Sequence, residues 1–182
     1  MQATSKMNRA VFLDRDGVLN EAVVRNGRPY PPPTFESFSL LPGVTEAARA
    51  LHDSGYMLIV ATNQPDVATG KQSRQVVDAM HAKLMAELPI TEIYACFATD
   101  APDNSDYKPK PGMLLRAARD HGIDLERSFM VGDRWRDVGA GKAAGCRTFF
   151  IDYGYDEALR DQPDVIVSSL AEAAGIILGK HT

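Results

Sequence analysis

The chain has 182 residues, of which 45% are hydrophobic and 24% are charged. This composition is typical of a globular protein, so we predict one domain over residues 1–182, with residues 1–6 flexible. The formal net charge of −4, without a cluster of Lys and Arg, disfavours nucleic acid and anionic membrane surfaces as partners. No apolar run approaches the roughly 18 to 20 residues that cross a bilayer.

The cysteine content is low, with Cys96 and Cys146 alone, and the start of the chain carries no signal-like apolar segment. These features give no support for secretion or for a disulfide framework. We therefore expect a cytoplasmic protein. As a separate expectation, we take the protein to be a monomer.

Short apolar runs alternate along the chain with helical patterns, and together they predict the fold. The runs read as strands are residues 10–13, 57–61, 93–97, 129–131 and 148–151, with residues 165–167 as a candidate sixth. The helical patterns are residues 44–52, 73–88, 113–121, 137–144 and 169–178. Such alternation requires crossover connections, so we predict an α/β fold, a doubly wound domain with a central, mainly parallel sheet.

Residues 17–40 interrupt this rhythm. They contain Asn26-Gly27 and three consecutive prolines at 31–33, and they lack helical periodicity. We predict a short hairpin-like flap here, lying over the site. The intervals from Asp16 to Thr62 and from Thr62 to Lys108 leave room for little more than a helix and a strand each, so we expect no large cap.

Acidic residues follow two of the predicted strands, at the sheet edge where α/β proteins bind ligands. Asp14 and Asp16 end the first strand, and both side chains can face one pocket if the chain turns at Gly17. Asp133 follows the fourth strand. Carboxylates repel a phosphate, so a phosphate site built from them needs a divalent cation.

Polar groups that suit a phosphoryl ligand follow the second strand. Thr62 offers a hydroxyl and an amide, and Asn63 and Gln64 add further hydrogen-bonding groups. Lys108 would offset the charge that develops during phosphoryl transfer. Each signal is weak alone, but their order along the chain predicts one phosphate site.

These positions resemble the haloacid dehalogenase superfamily of phosphohydrolases, whose four motifs occur here as Asp14-x-Asp16, Thr62, Lys108 and Gly132-Asp133-x-x-x-Asp137. The resemblance covers nearly the whole chain. It implies that Asp14 is the nucleophile, which forms an aspartyl-phosphate, and that Asp16 is the general acid and then the general base. It also implies that Thr62 and Lys108 hold the phosphoryl group.

The resemblance further implies a Mg²⁺ cofactor. The metal would be held by Asp14, by the backbone carbonyl of Asp16 and by Asp133, with Asp137 orienting the surroundings of the metal. This assignment is chemically consistent, because an aspartate nucleophile divides hydrolysis into two displacements.

Three longer strings resemble a narrower branch, the D-glycero-D-manno-heptose 1,7-bisphosphate phosphatases, which also contains histidinol phosphatases. The strings begin at Phe12, Ala61 and Lys108 and read FLDRDGVLN, ATNQ and KPKPGM. They imply removal of the 7-phosphate from a small phosphorylated sugar. A histidinol phosphate or another small phosphomonoester is the alternative substrate.

This chain departs from the branch at a loop that commonly binds zinc through Cys and His. The corresponding positions here are Cys96, Ala98, Asn104 and Asp106. One sulfur ligand among four positions does not make a tetrahedral zinc site. We predict no structural zinc, and we interpret Cys96 as a buried core residue.

Two arginines that the branch commonly carries are also replaced, one by Tyr107 and one by Thr69. Compensation could come from Arg25, Arg28 or Arg134, of which Arg134 is taken as a substrate-binding residue beside the metal motif. Trp135 is interpreted as a wall of the pocket.

A receiver-like phospho-acceptor domain is the alternative from another class. A receiver also gathers acidic residues, a Thr and a Lys around a phosphorylated Asp. It takes that Asp from a separate middle strand, whereas the run that we take as the central strand here, residues 93–97, has only Asp100 nearby.

Overall fold

The computed structural model describes residues 7–180, in which eight strands and five helices follow one another along the chain. The strands are β1 (Arg9–Leu13), β2 (Val23–Arg25), β3 (Arg28–Tyr30), β4 (Tyr56–Asn63), β5 (Glu92–Cys96), β6 (Phe129–Gly132), β7 (Arg147–Ile151) and β8 (Val165–Val167). The helices are α1 (Val44–Asp53), α2 (Arg74–Glu87), α3 (Gly112–His121), α4 (Trp135–Ala144) and α5 (Leu170–Ile177). The predicted flexible residues 1–6 lie outside the described part.

Six strands form one parallel sheet in the order β5-β4-β1-β6-β7-β8. The predicted α/β fold with a mainly parallel sheet is therefore confirmed, including the candidate sixth strand. One expectation was wrong, because β5, taken from the sequence as the central strand, lies at the sheet edge. Periodicity identifies a strand but not its neighbours, since these depend on how the crossovers pack.

The strand order also bears on the receiver alternative. Numbered among sheet strands alone, the order is 3-2-1-4-5-6, a doubly wound order of dinucleotide-binding folds. The flavodoxin-like order, to which receivers belong, places the third strand beside the first. The topology therefore argues against a receiver.

Hydrophobic residues cover both faces of the sheet. Successive side chains of a strand point to opposite faces, so a continuous apolar strand contributes to two cores. In β1, Val11 and Leu13 join a core with residues of α1, α2 and α5. Ala10 and Phe12 join a second core with residues of α3 and α4. Both faces of the central strand are thus buried, as expected for a parallel sheet between helical layers.

Two element boundaries differ by two residues from those predicted, the others by at most one, and both of these larger changes concern the sheet edge that carries the site. β4 continues through Asn63, so Thr62 and Asn63 end the strand rather than follow it. α4 begins at Trp135, two residues before the predicted start. The Asp137 carboxylate accepts a hydrogen bond from the backbone N–H of Arg134 (3.0 Å), which stabilises this earlier first turn.

The predicted flap contains the antiparallel hairpin of β2 and β3. Its turn is Asn26-Gly27, with φ of 50° and 71° at the two residues, the left-handed conformations that a tight hairpin turn requires. The Gly27 carbonyl accepts a hydrogen bond from the Asp156 N–H (2.8 Å), so the turn contacts the segment that follows β7. Within residues 7–180, no helix has the length and apolarity needed to span a membrane.

Gly141 allows α4 to pack closely on the sheet, and this contact can be tested. A Cβ at this position would lie 2.7 Å from the side chains of Met130 in β6 and Thr148 in β7. We expect Gly141→Ala to lower the free energy of unfolding by about 1–3 kcal/mol through overpacking. In the control, Gly175→Ala in α5, the new Cβ meets an atom no closer than 3.6 Å.

The measurement is urea unfolding of both variants beside the wild type. We expect Gly175→Ala to range from neutral to about 1 kcal/mol more stable, because alanine favours helix. Equal stability of the two variants would contradict the close packing of α4.

Candidate active site

The predicted site residues meet at the carboxyl ends of β1, β4 and β6. They border a cavity of about 590 Å³, a volume that suits a small metabolite. Every predicted site residue except Thr62 lines this cavity, namely Asp14, Asp16, Asn63, Gln64, Lys108, Asp133 and Arg134. Pro29, Tyr30 and Arg28 of the flap line it too, whereas Arg25 does not.

The buried ammonium group of Lys108 joins two carboxylates. Its Nζ donates to Oδ1 of Asp14 (2.9 Å), to Oδ1 of Asp137 (2.6 Å) and to the Ala61 carbonyl (2.7 Å). Burial opposes the charge of Lys108, but Asp137 and Asp14 outweigh it and raise the pKa of the lysine above its ordinary value. Lys108 is therefore a fixed positive charge beside Asp14.

Asp133 presents a bare carboxylate to the same place. Both of its side-chain oxygens are buried, and neither has a hydrogen-bond partner among residues 7–180. Burial, with Asp14 and Asp137 nearby, raises the pKa of Asp133 well above its ordinary value, and these effects outweigh the opposing influence of the nearby Tyr155 hydroxyl and Arg134. Burial and Asp137 likewise raise the pKa of Asp14 to about 6.

The turn after Asp16 makes room for this carboxylate. Gly17 has φ of 84°, and a Cβ on it would lie 2.0 Å from Oδ2 of Asp133. Glycine therefore serves here for both conformation and space. The Gly17 carbonyl accepts a hydrogen bond from the Tyr153 hydroxyl (2.9 Å), which ties the turn to the segment after β7.

The site has the ligands and the charge that suit a divalent cation. One carboxylate oxygen from each of Asp14, Asp133 and Asp137 lies within 4.8 Å of the others. Asp137 already accepts from Lys108 and from a backbone N–H, which leaves Asp14 and the unpartnered Asp133 as the freer ligands. Hard cations such as Mg²⁺ bind carboxylate oxygens, so these residues fit that metal.

Asp16 is held apart from this cluster. Arg15, which is fully buried, donates to both of its carboxylate oxygens at 3.0 Å. Asn20 donates to one oxygen and Gln64 to the other, each at 2.9 Å. The carboxylate is thus fixed in direction while it lines the cavity. The backbone carbonyl, rather than this side chain, was the predicted metal ligand.

The residues at the end of β4 hold other site residues in place. Gln64 also donates to Oγ1 of Thr62 (2.9 Å), which is 1% exposed and lies behind the cavity wall. Asn63 exchanges two hydrogen bonds with the backbone of Lys108, at 3.0 and 3.1 Å. The amide side chains therefore connect β4 to Asp16 and to Lys108.

Arg134 forms an ion pair with Glu157, which also lines the cavity. Its Nε donates to Oε2 of Glu157 at 3.0 Å, and its Nη2 contacts the other oxygen. The predicted substrate-binding arginine is thus already paired with a carboxylate. The chain after β7 supplies this partner, so it encloses the cavity together with the flap.

The four positions that correspond to the zinc loop form a hydrogen-bonded loop. The Asn104 amide donates to Cys96 Sγ (3.4 Å) and to the Thr99 carbonyl (3.0 Å), and it accepts from the Asp106 N–H (3.2 Å). Asp106 pairs with Arg116. Cys96 is buried among the residues of the second core, in agreement with its interpretation from the sequence.

Several cavity residues were missed by the sequence reasoning. They include Asp66 after β4, Arg136 in α4, and Asp156, Glu157 and Arg160 after β7. The rule that ligands bind beyond strand ends points to the chain after β7, but that segment has no motif to mark it. Thr69, by contrast, is exposed and absent from the lining of the cavity.

Comparison with known proteins identifies the family of this site. A HAD-hydrolase-like family model matches residues 107–173. The D-glycero-D-manno-heptose-1,7-bisphosphate 7-phosphatase of Thermosynechococcus vestitus is 36% identical to this chain, over 90% of the chain and 92% of the relative. The D-glycero-beta-D-manno-heptose-1,7-bisphosphate 7-phosphatase of Pasteurella multocida is 33% identical, over 95% and 98% respectively.

A solved structure agrees with these relatives. The D,D-heptose 1,7-bisphosphate phosphatase from B. bronchiseptica, complexed with magnesium and phosphate, superposes with a TM-score of 0.80. It is 26% identical and covers 95% of this chain and 99% of its own. The relatives are phosphatases, which excludes the receiver alternative. This chain is therefore a phosphatase of the haloacid dehalogenase superfamily and belongs to the branch of the D-glycero-D-manno-heptose 1,7-bisphosphate phosphatases.

Proposed function

We propose that the protein is a Mg²⁺-dependent phosphatase that removes the 7-phosphate of D-glycero-D-manno-heptose 1,7-bisphosphate. The observation that carries the proposal is the pairing of Asp14 with the buried Lys108, beside the bare carboxylate of Asp133, inside a metabolite-sized cavity. The names of the relatives support the substrate. The substrate that we propose is a small phosphorylated sugar. We also propose that the protein is a monomer in the cytoplasm.

In the first step, one carboxylate oxygen of Asp14 attacks phosphorus. A bond forms between this oxygen and phosphorus, and the bond from phosphorus to the sugar oxygen breaks. The ammonium group of Lys108, 2.9 Å from Asp14, offsets the negative charge that the phosphate brings. Mg²⁺, held by Asp14, Asp133 and the backbone carbonyl of Asp16, would supply further neutralisation and would orient the phosphoryl oxygens.

Asp16 handles the protons of both steps. It donates a proton to the leaving sugar oxygen and then removes one from the water that attacks the aspartyl-phosphate. The second attack releases inorganic phosphate and regenerates Asp14. Arg15 and Gln64 hold Asp16 in one orientation through the two steps, and Thr62 supports Gln64 from behind.

Substrate choice is tested with a panel of purified compounds. The panel contains both anomers of the heptose 1,7-bisphosphate, histidinol phosphate, other sugar phosphates and nucleotides. We expect the heptose bisphosphate to have the highest kcat/KM. Replacement of the two branch arginines by Tyr107 and Thr69 makes histidinol phosphate the principal competitor. A tenfold higher kcat/KM for any other compound would exclude the proposed substrate.

The nucleophile is tested by Asp14→Asn. The variant loses the attacking carboxylate and a metal ligand, so we expect kcat to fall by about 10³-fold or more while the fold is retained. Activity is measured by phosphate release, and the fold by circular dichroism. Asp53→Asn is the matched control, because that side chain lies on the surface at the end of α1 with 79% exposure. Activity near wild type in Asp14→Asn would refute the mechanism.

The metal requirement is tested by chelation. EDTA should abolish phosphate release, because it removes the cation that balances the charges of Asp133 and Asp14. Added Mg²⁺ should restore the activity. A zinc-selective chelator should leave activity unchanged, since the positions of the zinc loop carry one sulfur, Cys96. Elemental analysis of the purified protein checks this directly, and stoichiometric zinc would contradict the second expectation.

A further inference from the structure

The cavity wall carries two further cations that the chemistry above does not use. Arg136 lies in the first turn of α4, next to Asp137, and lines the cavity with Arg160 and Trp135. Successive residues of a helix point about 100° apart. Arg136 therefore points in a different direction from Asp137, and it lines the cavity without forming an ion pair with the carboxylate cluster.

Arg136 is held by aromatic rings and has an unused hydrogen-bond donor. Its guanidinium carbon lies 4.5 Å from the centroid of the Trp135 ring and 5.6 Å from that of Tyr107. Its Nε is buried without a hydrogen-bond partner among the residues that the structure describes. A buried, unpaired N–H of a cation is costly, so it indicates a group that binds there.

A second guanidinium lies against the same indole. The guanidinium carbon of Arg160 is 3.6 Å from the centroid of the Trp135 ring. Neither Arg136 nor Arg160 forms an ion pair within residues 7–180, whereas Arg134, which also lines the cavity, is paired with Glu157. Two unpaired cations on one ring repel each other, and a shared anion would remove that repulsion.

We propose that Arg136, assisted by Arg160, binds the second phosphate of a bisphosphate substrate, the phosphate that is not removed. The inference rests on the proposed function, because it needs a substrate with two phosphates in one cavity. A guanidinium suits this role, since its planar fork donates two parallel hydrogen bonds to phosphate oxygens. Asp66 and Asp156 also line the cavity, but among the described residues neither forms an ion pair with Arg136 or Arg160.

The geometry also explains how the chain can recognise a distal phosphate with Tyr107 in place of an arginine. The Tyr107 ring lies beside the guanidinium of Arg136, so in this chain the loop before Lys108 contacts a cation in the first turn of α4. The cavity therefore has a cation near Tyr107 even though residue 107 itself is uncharged.

The test compares two substrates that differ only in the distal phosphate, heptose 1,7-bisphosphate and heptose 7-phosphate. The readout is the ratio of their kcat/KM values. We expect Arg136→Gln to lower this ratio by about 10-fold to 100-fold, mainly through a higher KM for the bisphosphate. Arg136→Lys should give a smaller decrease, because it keeps the charge and loses the fork. Arg160→Gln should also lower the ratio.

The matched control is Arg147→Gln, which removes an exposed arginine at the opposite, amino-terminal end of β7 and should leave the ratio unchanged. A ratio within twofold of wild type in Arg136→Gln would overturn the inference and leave the proposed function intact. An equal fall for both substrates would also overturn it, since Arg136 would then act on the site as a whole. A wild-type enzyme that does not prefer the bisphosphate would refute the proposed function itself.

Discussion

The buried ammonium group of Lys108 is the contact on which the site depends. It reaches Asp14 after β1, the Ala61 carbonyl in β4 and Asp137 in α4, so one side chain ties three elements together. A buried charge of this kind is stable only when all its partners are present. Asn63 holds the backbone of Lys108 with two further hydrogen bonds. The ammonium group of Lys108 therefore both connects the elements at this edge of the sheet and supplies the positive charge beside Asp14.

That contact leaves the site short of positive charge. Lys108 and Arg15 are the buried cations that directly pair with Asp14, Asp137 and Asp16, and Asp133 receives no hydrogen bond from the described residues. A bound divalent cation would stabilise the site, because burial raises the energy of a carboxylate that has no partner of opposite charge. The protein thus balances Asp14 with an amine and leaves the Asp133 carboxylate for a metal.

Much of this arrangement could be predicted from the sequence, because the chemistry lies at strand ends and strand ends are marked by apolar runs followed by polar residues. The hairpin was also predictable, since Asn26-Gly27 is a strong turn signal. The edge position of β5 was not, because strand order depends on long-range packing. The same limit applies to Glu157 and Arg160, which follow β7 in a segment without periodicity. Their contacts with Arg134 and Trp135 join residues more than twenty positions apart.

The two halves of the cavity differ in how they are held, and this difference bears on how specificity can change. Asp14 and Asp133 follow β1 and β6, and the pairing of these two strands in the sheet holds them in place. The cationic half is formed by the first turn of α4, the flap and the chain after β7, which are joined by contacts such as that between Gly27 and Asp156. Substitutions in the flap or in the chain after β7 can therefore alter the contacts with the distant part of a substrate, because the strand that precedes Asp14 is held by its pairing with β4 and β6 and not by those segments.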